Sequence, residues 1–336
     1  MQNNDINSFF PPFKAWFMVY RILAVLVWAV LTIVLSVSLA VYQTGEIDWV
    51  NFLLTAAIAS VVQGFPAHIV NEITDWKSGA DQYRKLGEKS GGSKVLKSGL
   101  ATITQLWHIF DVTTIVALGL MFGLSQRTSP EIFWFFGIGY FVCLFYTLPP
   151  LQFAYRPFAG EWFGGFTGIF LNMTGAYFVQ TGQLDSAIIL MAVITGLIYI
   201  AIMMVFHYLD YESDRHATPV KCTTIVFLGL KQSKFYVLGL LTLSFLLSSA
   251  AGWIIHPLFY LFSLLSLVHF GIHYVCNPFE EASILKTGKR LTYLMIAFTV
   301  SISVVVHLYF IGLIFFTVLC FLLHKKFGKL DPSHAV

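Results

Sequence analysis

The stretch FLLTAAIASVVQGFPAHIVNEITDWKSGAD, residues 52–81, decides the reading of this chain. It begins as an apolar run of the length that crosses hydrocarbon as a helix, about 20 residues. It ends with Asn71, Glu72, Asp75 and Asp81 within eleven positions. Ionisable groups at the end of a membrane helix are costly to bury and commonly mark function.

The rest of the chain has the same apolar character. Of 336 residues 57% are hydrophobic, 17% aromatic and only 11% charged, where a soluble domain carries about 25% charged. Apolar stretches recur near 17–41, 49–70, 107–124, 131–153, 161–180, 186–209, 234–252, 253–275 and 292–323, with the seventh and eighth divided at Gly252 to Pro257. They are continuous and longer than the about 9–11 residues of a barrel strand. The pattern predicts an all-α polytopic membrane protein of about nine transmembrane helices, with residues 1–336 as a single domain. The polar N-terminus and the long first run predict that no leader is cleaved. Cys143, Cys222, Cys276 and Cys320 are isolated in sequence and predict neither a disulfide framework nor a Cys-rich metal site. Nothing in the sequence supports nucleic-acid binding.

Charge distribution orients the helices. With a cytoplasmic N-terminus, the connections after the second, fourth, sixth and eighth stretches hold Lys77, Arg84, Lys85, Lys89, Lys94 and Lys97, then Arg156, then Arg215, Lys221, Lys231 and Lys234, then Lys286, Lys289 and Arg290. The opposite connections hold only Arg127. This is the positive-inside asymmetry. Lys325, Lys326 and Lys329 break it if the number of spans is odd. Either the earlier loops dominate or the last apolar stretch is miscounted.

Acids gather in the same two loops. Asn71, Glu72 and Asp75 stand at i, i+1 and i+4, which puts Asn71 and Asp75 on one helix face. After the sixth stretch, HYLDYESDRHATPVKCTT (207–224) places Asp210 and Asp214 at i and i+4. Carboxylates about 4 Å apart repel by about 4 kcal/mol at an effective dielectric near 20. Two facing acidic pairs therefore call for a cation, and Mg²⁺ suits oxygen ligands supplied jointly by carboxylates and substrate phosphates. Basic residues stand beside both motifs: GGSKVLKSGL (91–100) offers Lys94 and Lys97 after a glycine pair, and Arg215 and Lys221 follow Asp214. Acids for a metal beside bases for an anion suggest a metal–diphosphate site.

These motifs together resemble the UbiA superfamily of intramembrane prenyltransferases, and within it the 1,4-dihydroxy-2-naphthoate prenyltransferase-like branch. NEITDWKSGAD is similar to the family's first aspartate-rich motif, DYESDR to its second Asp-x-x-x-Asp motif, and YRPFAGEWFGGFTGIFLNMTGAYFVQTG (155–182) to its middle segment. The resemblance implies helices around a central cavity open to lipid, with the two acidic motifs facing each other above it. It implies that Asn71, Glu72, Asp75, Asp210 and Asp214 hold Mg²⁺ against the diphosphate of an isoprenyl donor, with Asp75, Asp210 and Asp214 central to catalysis. Lys94, Arg215 and Lys221 would complete the charge balance, and Asp81 would support the first loop. Tyr155 and Arg156, beside Tyr146 at the same end, could line the donor's polar end. An aromatic acceptor would attack the allylic cation. The lack of a transit peptide favours the lipid bilayer of a prokaryotic cytoplasmic membrane as the setting, and the charge asymmetry puts the acidic motifs on the cytoplasmic side.

The chain departs from the family pattern in places. Glu72 stands where an aspartate is usual and His207 where an asparagine often precedes the second motif, and HATPVK (216–221) replaces a short Gly-Lys turn. The acceptor half of the site is the less family-like. A terpene cyclase on the same scaffold, needing no acceptor, and a cation-coupled transporter are the rival readings. The transporter predicts acids near the midplane rather than at helix ends. Glu161 and Asn172 lie within the family-like middle segment, where a structural or substrate-orienting role is open, and His269 and His273, at i and i+4, are expected to make interhelical hydrogen bonds.

Overall fold

The computed structural model describes residues 8–83 and 92–328; Arg84, Lys85, Lys89, Gly91 and Lys329, which enter the readings above, lie outside them. The described residues form helices and connecting turns, with no strand among them. In chain order these are α1 (Phe13–Thr44), α2 (Trp49–Ser78), α3 (Ile103–Arg127), α4 (Ile132–Phe145), α5 (residues 160–181), α6 (Ser186–His216), α7 (Thr224–Ile254), α8 (Phe259–Tyr274), α9 (Glu281–Val306) and α10 (Leu308–Phe327). Seven are long and apolar enough to cross a membrane, while α4 and α8 are shorter apolar helices.

Local chemistry explains where several of them begin. Asp48, Asp185 and Thr223 each accept a backbone N–H of the first turn of α2, α6 and α7, and Thr102 with Gln105 forms a capping box for α3. Because Thr223 caps it, α7 starts ten residues before the apolar stretch at 234 and absorbs Lys231 and Lys234 into a helix kinked at Gly229. The fourth apolar stretch, by contrast, stops early. Helix α4 ends at Phe145, and residues 146–159 turn back through Pro149 and Pro150, neither of which can donate to a helix ladder.

The last apolar stretch is two helices. His307 has extended backbone (φ −154°, ψ 131°), and its side chain accepts the N–H of Tyr309 at 3.2 Å to start the next turn. At this break Tyr309 lies 5.8 Å from Trp49, beside the turn between α1 and α2. At the other end of α10, Phe327 packs 6.0 Å from Phe13 and 5.4 Å from Phe17. Lys325 and Lys326 therefore stand at the end of the bundle that also carries Asn71 to Ser78. The positive-inside asymmetry is restored by the extra crossing.

Helix α6 is the most enclosed element, 78% of its apolar window being buried. It packs against α1, α5, α7 and α9, and Tyr199 is its largest fully buried side chain. Polar groups at this depth must be satisfied within the protein. The π-helical stretch Leu26–Val30 of α1 shows how. Tyr199 donates to the Val27 carbonyl at 2.6 Å, Asn172 of α5 to the Ala29 carbonyl at 3.1 Å, and Thr32 to the carbonyls of Trp28 and Ala29. Asn172 is thus a structural tie between helices. The histidines of α8 differ from expectation: among the described residues nothing bonds either ring nitrogen of buried His269 or Nε2 of His273.

Two outcomes are expected. With the native cysteines replaced, single cysteines at positions 77 and 325 should react with an impermeant thiol reagent from the same face of sealed vesicles; labelling from opposite faces would rule out the α9–α10 hairpin. Tyr199→Phe should cost about 1 kcal/mol through the unsatisfied Val27 carbonyl and lower the detergent melting temperature by about 2–4 °C, measured by thermal unfolding.

Candidate active site

Three helix ends and two loops meet at one end of the bundle. Helix α2 is interrupted by a π-helical turn, Gln63–Ala67, that contains Pro66, and resumes to carry Asn71, Glu72 and Asp75 on its final turns. Pro66 has no N–H to donate, so the ladder widens there and the last turns are re-aimed. Helix α6 carries Asp210 and Asp214 to its C-terminus at His216. The chain then folds back over α2, and the N–H of Thr218 donates to the Ser78 carbonyl at 2.7 Å. Tyr83 stacks on His216 at 4.4 Å across the same junction.

Lys221 stands between the two acidic motifs. Its Nζ is 2.7 Å from Asp75 Oδ2 and 3.9 Å from Asp214 Oδ1, and its own N–H donates to the Asp214 carbonyl at 3.0 Å. The side chains of Lys221 and Asp75 are only 10% and 7% exposed. At 2.7 Å the gross attraction is about 6 kcal/mol at an effective dielectric near 20, against a desolvation cost of several kcal/mol per ion. The pair therefore adds little net stability; its effect is to fix the ammonium between two helix ends. Burial works against that charge, yet the carboxylates of Asp75 and Asp214 outweigh it and hold the Lys221 pKa well above that of a free lysine. The site thus keeps its cation at neutral pH.

Asp75 has two further partners. Asn71 donates to its Oδ2 at 3.2 Å, and Tyr155 donates to its Oδ1 at 2.9 Å while lying 2.9 Å from the Ser78 hydroxyl. Burial first, and then the negative charge of Asp75, push the Tyr155 phenol above its ordinary pKa, so it remains a donor. Its ring lies 5.7 Å from Lys221 Nζ.

Glu72 faces the next loop. It accepts the backbone N–H of Ser93, and a Cβ on Gly92 would fall 2.1 Å from Glu72 Oε2 and 3.0 Å from Asp81 Oδ2. Only glycine lets the loop approach this closely. Lys94 follows in left-handed conformation (φ 62°), and Lys97 ties the loop back to the carbonyls of Asp81 and Gln82 at 3.4 and 2.8 Å. Arg156 and Arg215 are exposed. Arg156 donates to the Pro150 carbonyl at 3.1 Å, whereas Arg215 pairs with Glu212 at 4.0 Å and lies over Tyr211.

The structure therefore brings Asn71, Asp75, Asp214, Tyr155 and Lys221 into one cluster, with Glu72 and Lys94 at the adjoining loop. Asp210 lies one turn before Asp214, and the two arginines are at the rim. Among the described residues no three acidic, histidine or cysteine groups are gathered closely enough to hold a metal by themselves. The donor set still suits Mg²⁺, which is commonly held by one or two carboxylates with waters and substrate phosphates.

A second polar group was not assembled from the sequence. Glu161, almost fully buried on the π-helical start of α5 (Gly160–Phe166), accepts from Thr224 Oγ1 at 2.8 Å and lies 3.7 Å from His207 Nδ1 of α6. A glutamate inside an apolar stretch was the signal that it needs partners; their identity, 46 and 63 residues away, was not readable.

The UbiA prenyltransferase family profile matches residues 29–288. This chain belongs to the UbiA prenyltransferase family. A protein of Haemophilus influenzae named 1,4-dihydroxy-2-naphthoate octaprenyltransferase is 26% identical over 216 residues, covering 60% of this chain and 66% of that relative, just under two thirds of its length. Among solved structures, a UbiA homolog from Archaeoglobus fulgidus bound to DMAPP and Mg²⁺ superposes with a TM-score of 0.66 at 14% identity, over 86% of this chain and 98% of that one. The same homolog bound to GPP and Mg²⁺ gives 0.65 at 14% identity, over 86% and 99%. The fold of this UbiA family member is thereby that of the archaeal homolog.

Lys221→Gln should lower stability by about 3 kcal/mol, since Asp75 and Asp214 are left without their shared counter-charge. The same variant should gain more melting temperature from added Mg²⁺ than the wild type does, read by thermal unfolding in detergent. An unchanged melting temperature without Mg²⁺ would show that Lys221 does not hold the two motifs together.

Proposed function

We propose that this protein catalyses Mg²⁺-dependent transfer of an isoprenyl chain from an allylic diphosphate to an aromatic quinone-precursor acceptor of the dihydroxynaphthoate type. The observation that carries this reading is the convergence of Asp75 and Asp214, from separate helices, on the buried ammonium of Lys221. Membership of the UbiA prenyltransferase family and the naphthoate-prenylating relative support it. In this reading residues 1–336 are one functional domain in a prokaryotic cytoplasmic membrane, its acidic end facing the cytoplasm.

Asn71, Glu72, Asp75, Asp210 and Asp214 would hold the metal, which when bound supplies positive charge to the departing diphosphate. The chain's own cations do the rest of that neutralisation. Lys221 is fixed at the centre, Lys94 is presented by the glycine-led loop, and Arg156 and Arg215 stand at the rim where a diphosphate enters. Tyr155 keeps Asp75 oriented through a hydrogen bond that costs the carboxylate none of its charge. The allylic cation so released is met by an aromatic-rich interior, where ring faces stabilise positive charge by about 2 kcal/mol or more once water is excluded.

The test is product mass. Purified protein is incubated with Mg²⁺ and a labelled allylic diphosphate, with and without dihydroxynaphthoate. A prenylated aromatic formed only with the acceptor, and abolished by EDTA, is expected. A cyclised hydrocarbon formed without acceptor would replace transfer by terpene cyclisation, and unconsumed diphosphate would overturn both. Asp75→Asn and Asp210→Asn should each reduce turnover by at least about 100-fold, equivalent to about 2.7 kcal/mol of lost charge stabilisation, while remaining extractable as folded protein. Near-wild-type turnover in both variants would overturn the metal-bridging role.

A further inference from the structure

His207 is placed on the face of α6 that carries the second acidic motif. Three residues separate it from Asp210 and seven from Asp214, which on an α-helix is nearly the same azimuth, at depths of about 5 and 10 Å further into the bundle. A donor whose diphosphate occupied the acidic end would extend its allylic chain inward past this side of α6. Glu161 faces the ring from across the helix interface: its Oε1 is 3.7 Å from Nδ1, beyond hydrogen-bond length, and both atoms are buried with no hydrogen-bond partner among the described residues, while Glu161, 1% exposed, is fixed through its other oxygen by Thr224. Thr224 is in turn held by the N–H of Phe158 at 2.6 Å, so the chain of contacts is anchored to backbone. His207 keeps 13% of its side chain exposed. A buried carboxylate that orients one nitrogen of an imidazole, leaving the other turned to a reactant, is the arrangement of a general base. The charged groups around it are Glu161 on α5 and Asp210 and Asp214 on its own helix.

We infer that His207 is the base that takes the proton of the aromatic acceptor, with Glu161 as its positioning residue. This inference rests on the transferase reading above. The allylic carbon–oxygen bond breaks first, its electron pair leaving with diphosphate, and the new carbon–carbon bond then joins the allylic cation to a ring carbon. A ring hydroxyl passes its proton to His207 Nε2, and the O–H electron pair becomes a ring carbonyl. When the attacked carbon then sheds its hydrogen as a proton, or a carboxyl group as carbon dioxide, the electrons return to the ring and His207 gives its proton back to the oxygen. No oxidant or further reactant is required.

The experiment compares wild type with His207→Gln, His207→Asn and Glu161→Gln, measuring acceptor-dependent kcat across pH, donor KM, and diphosphate release without acceptor. Both His207 variants should lose about 100-fold in kcat, keep donor KM and acceptor-free diphosphate release within about twofold, and lack the acid limb of the wild-type kcat profile. Glu161→Gln should retain a limb but displace it. Folding is checked by thermal unfolding, and His207→Asn, carrying the residue usual in the family, serves if His207→Gln unfolds. An acid limb that persists unshifted in either folded His207 variant overturns the proposal. If wild type releases diphosphate but forms no acceptor adduct, the transferase reading fails instead; loss of acceptor-free release in the His207 variants would also overturn the proposal, because His207 would then act on the donor.

Discussion

The contact between Lys221 and Asp75 is the constraint on which this end of the molecule depends. A lysine ammonium and an aspartate, both nearly out of water and 2.7 Å apart, join the connection after α6 to the last turn of α2. Asp214 shares the same ammonium, so the two acidic motifs are held in register by one side chain. Low-dielectric surroundings make this arrangement directional, because any displacement leaves a buried carboxylate uncompensated. The adjoining interactions follow that geometry: Tyr155 and Asn71 add one donor each to the two oxygens of Asp75, and the Gly92–Ser93 turn closes on Glu72.

Much of this was legible in the sequence. Hydropathy is a local property that a single chain displays openly, which is why the helices and their common charge asymmetry could be read. The spacing of Asn71, Glu72 and Asp75, and of Asp210 and Asp214, gives their shared faces by helical geometry alone. What was hidden depends on partners far away in the chain. Lys221 reads as one of several loop cations, and only the fold shows that it is buried between acids. Glu161 and His207 are both conspicuous, yet nothing in their spacing pairs them. The break at His307 was hidden for a different reason, since an apolar stretch looks the same whether it continues or doubles back. Its trace was the three lysines on the apparently wrong side.

Among the described residues, the π-helical turns Leu26–Val30 and Gln63–Ala67 interrupt α1 and α2, and Gly160–Phe166 opens α5. Each widens the backbone ladder where a polar or close-packed contact must be admitted. The first exposes carbonyls to Tyr199 and Asn172, the second precedes the acidic turns of α2, and the third carries Glu161. Gly64 in the second turn lets the Tyr20 ring lie where a Cβ would stand, 2.3 Å from its nearest carbon. Such turns strain a helix, and their survival in hydrocarbon requires that neighbouring helices satisfy the groups they free.

The seam between the first and last helices has a bearing on biogenesis. Helix α1 is enclosed largely by elements that follow it in the chain, including α5, α6, α9 and finally α10, whose Phe327 closes on Phe13 and Phe17. Helix α1 precedes all of these partners in chain order, α2 being the next helix after it. The surfaces that enclose it come from helices later in the chain, and the run from Ile22 to Val41, which carries no charge, is compatible with lipid until they arrive. The seam with α1 closes only once α10 stands beside it, so the α9–α10 hairpin has the part of a latch on a helix placed far earlier in the chain.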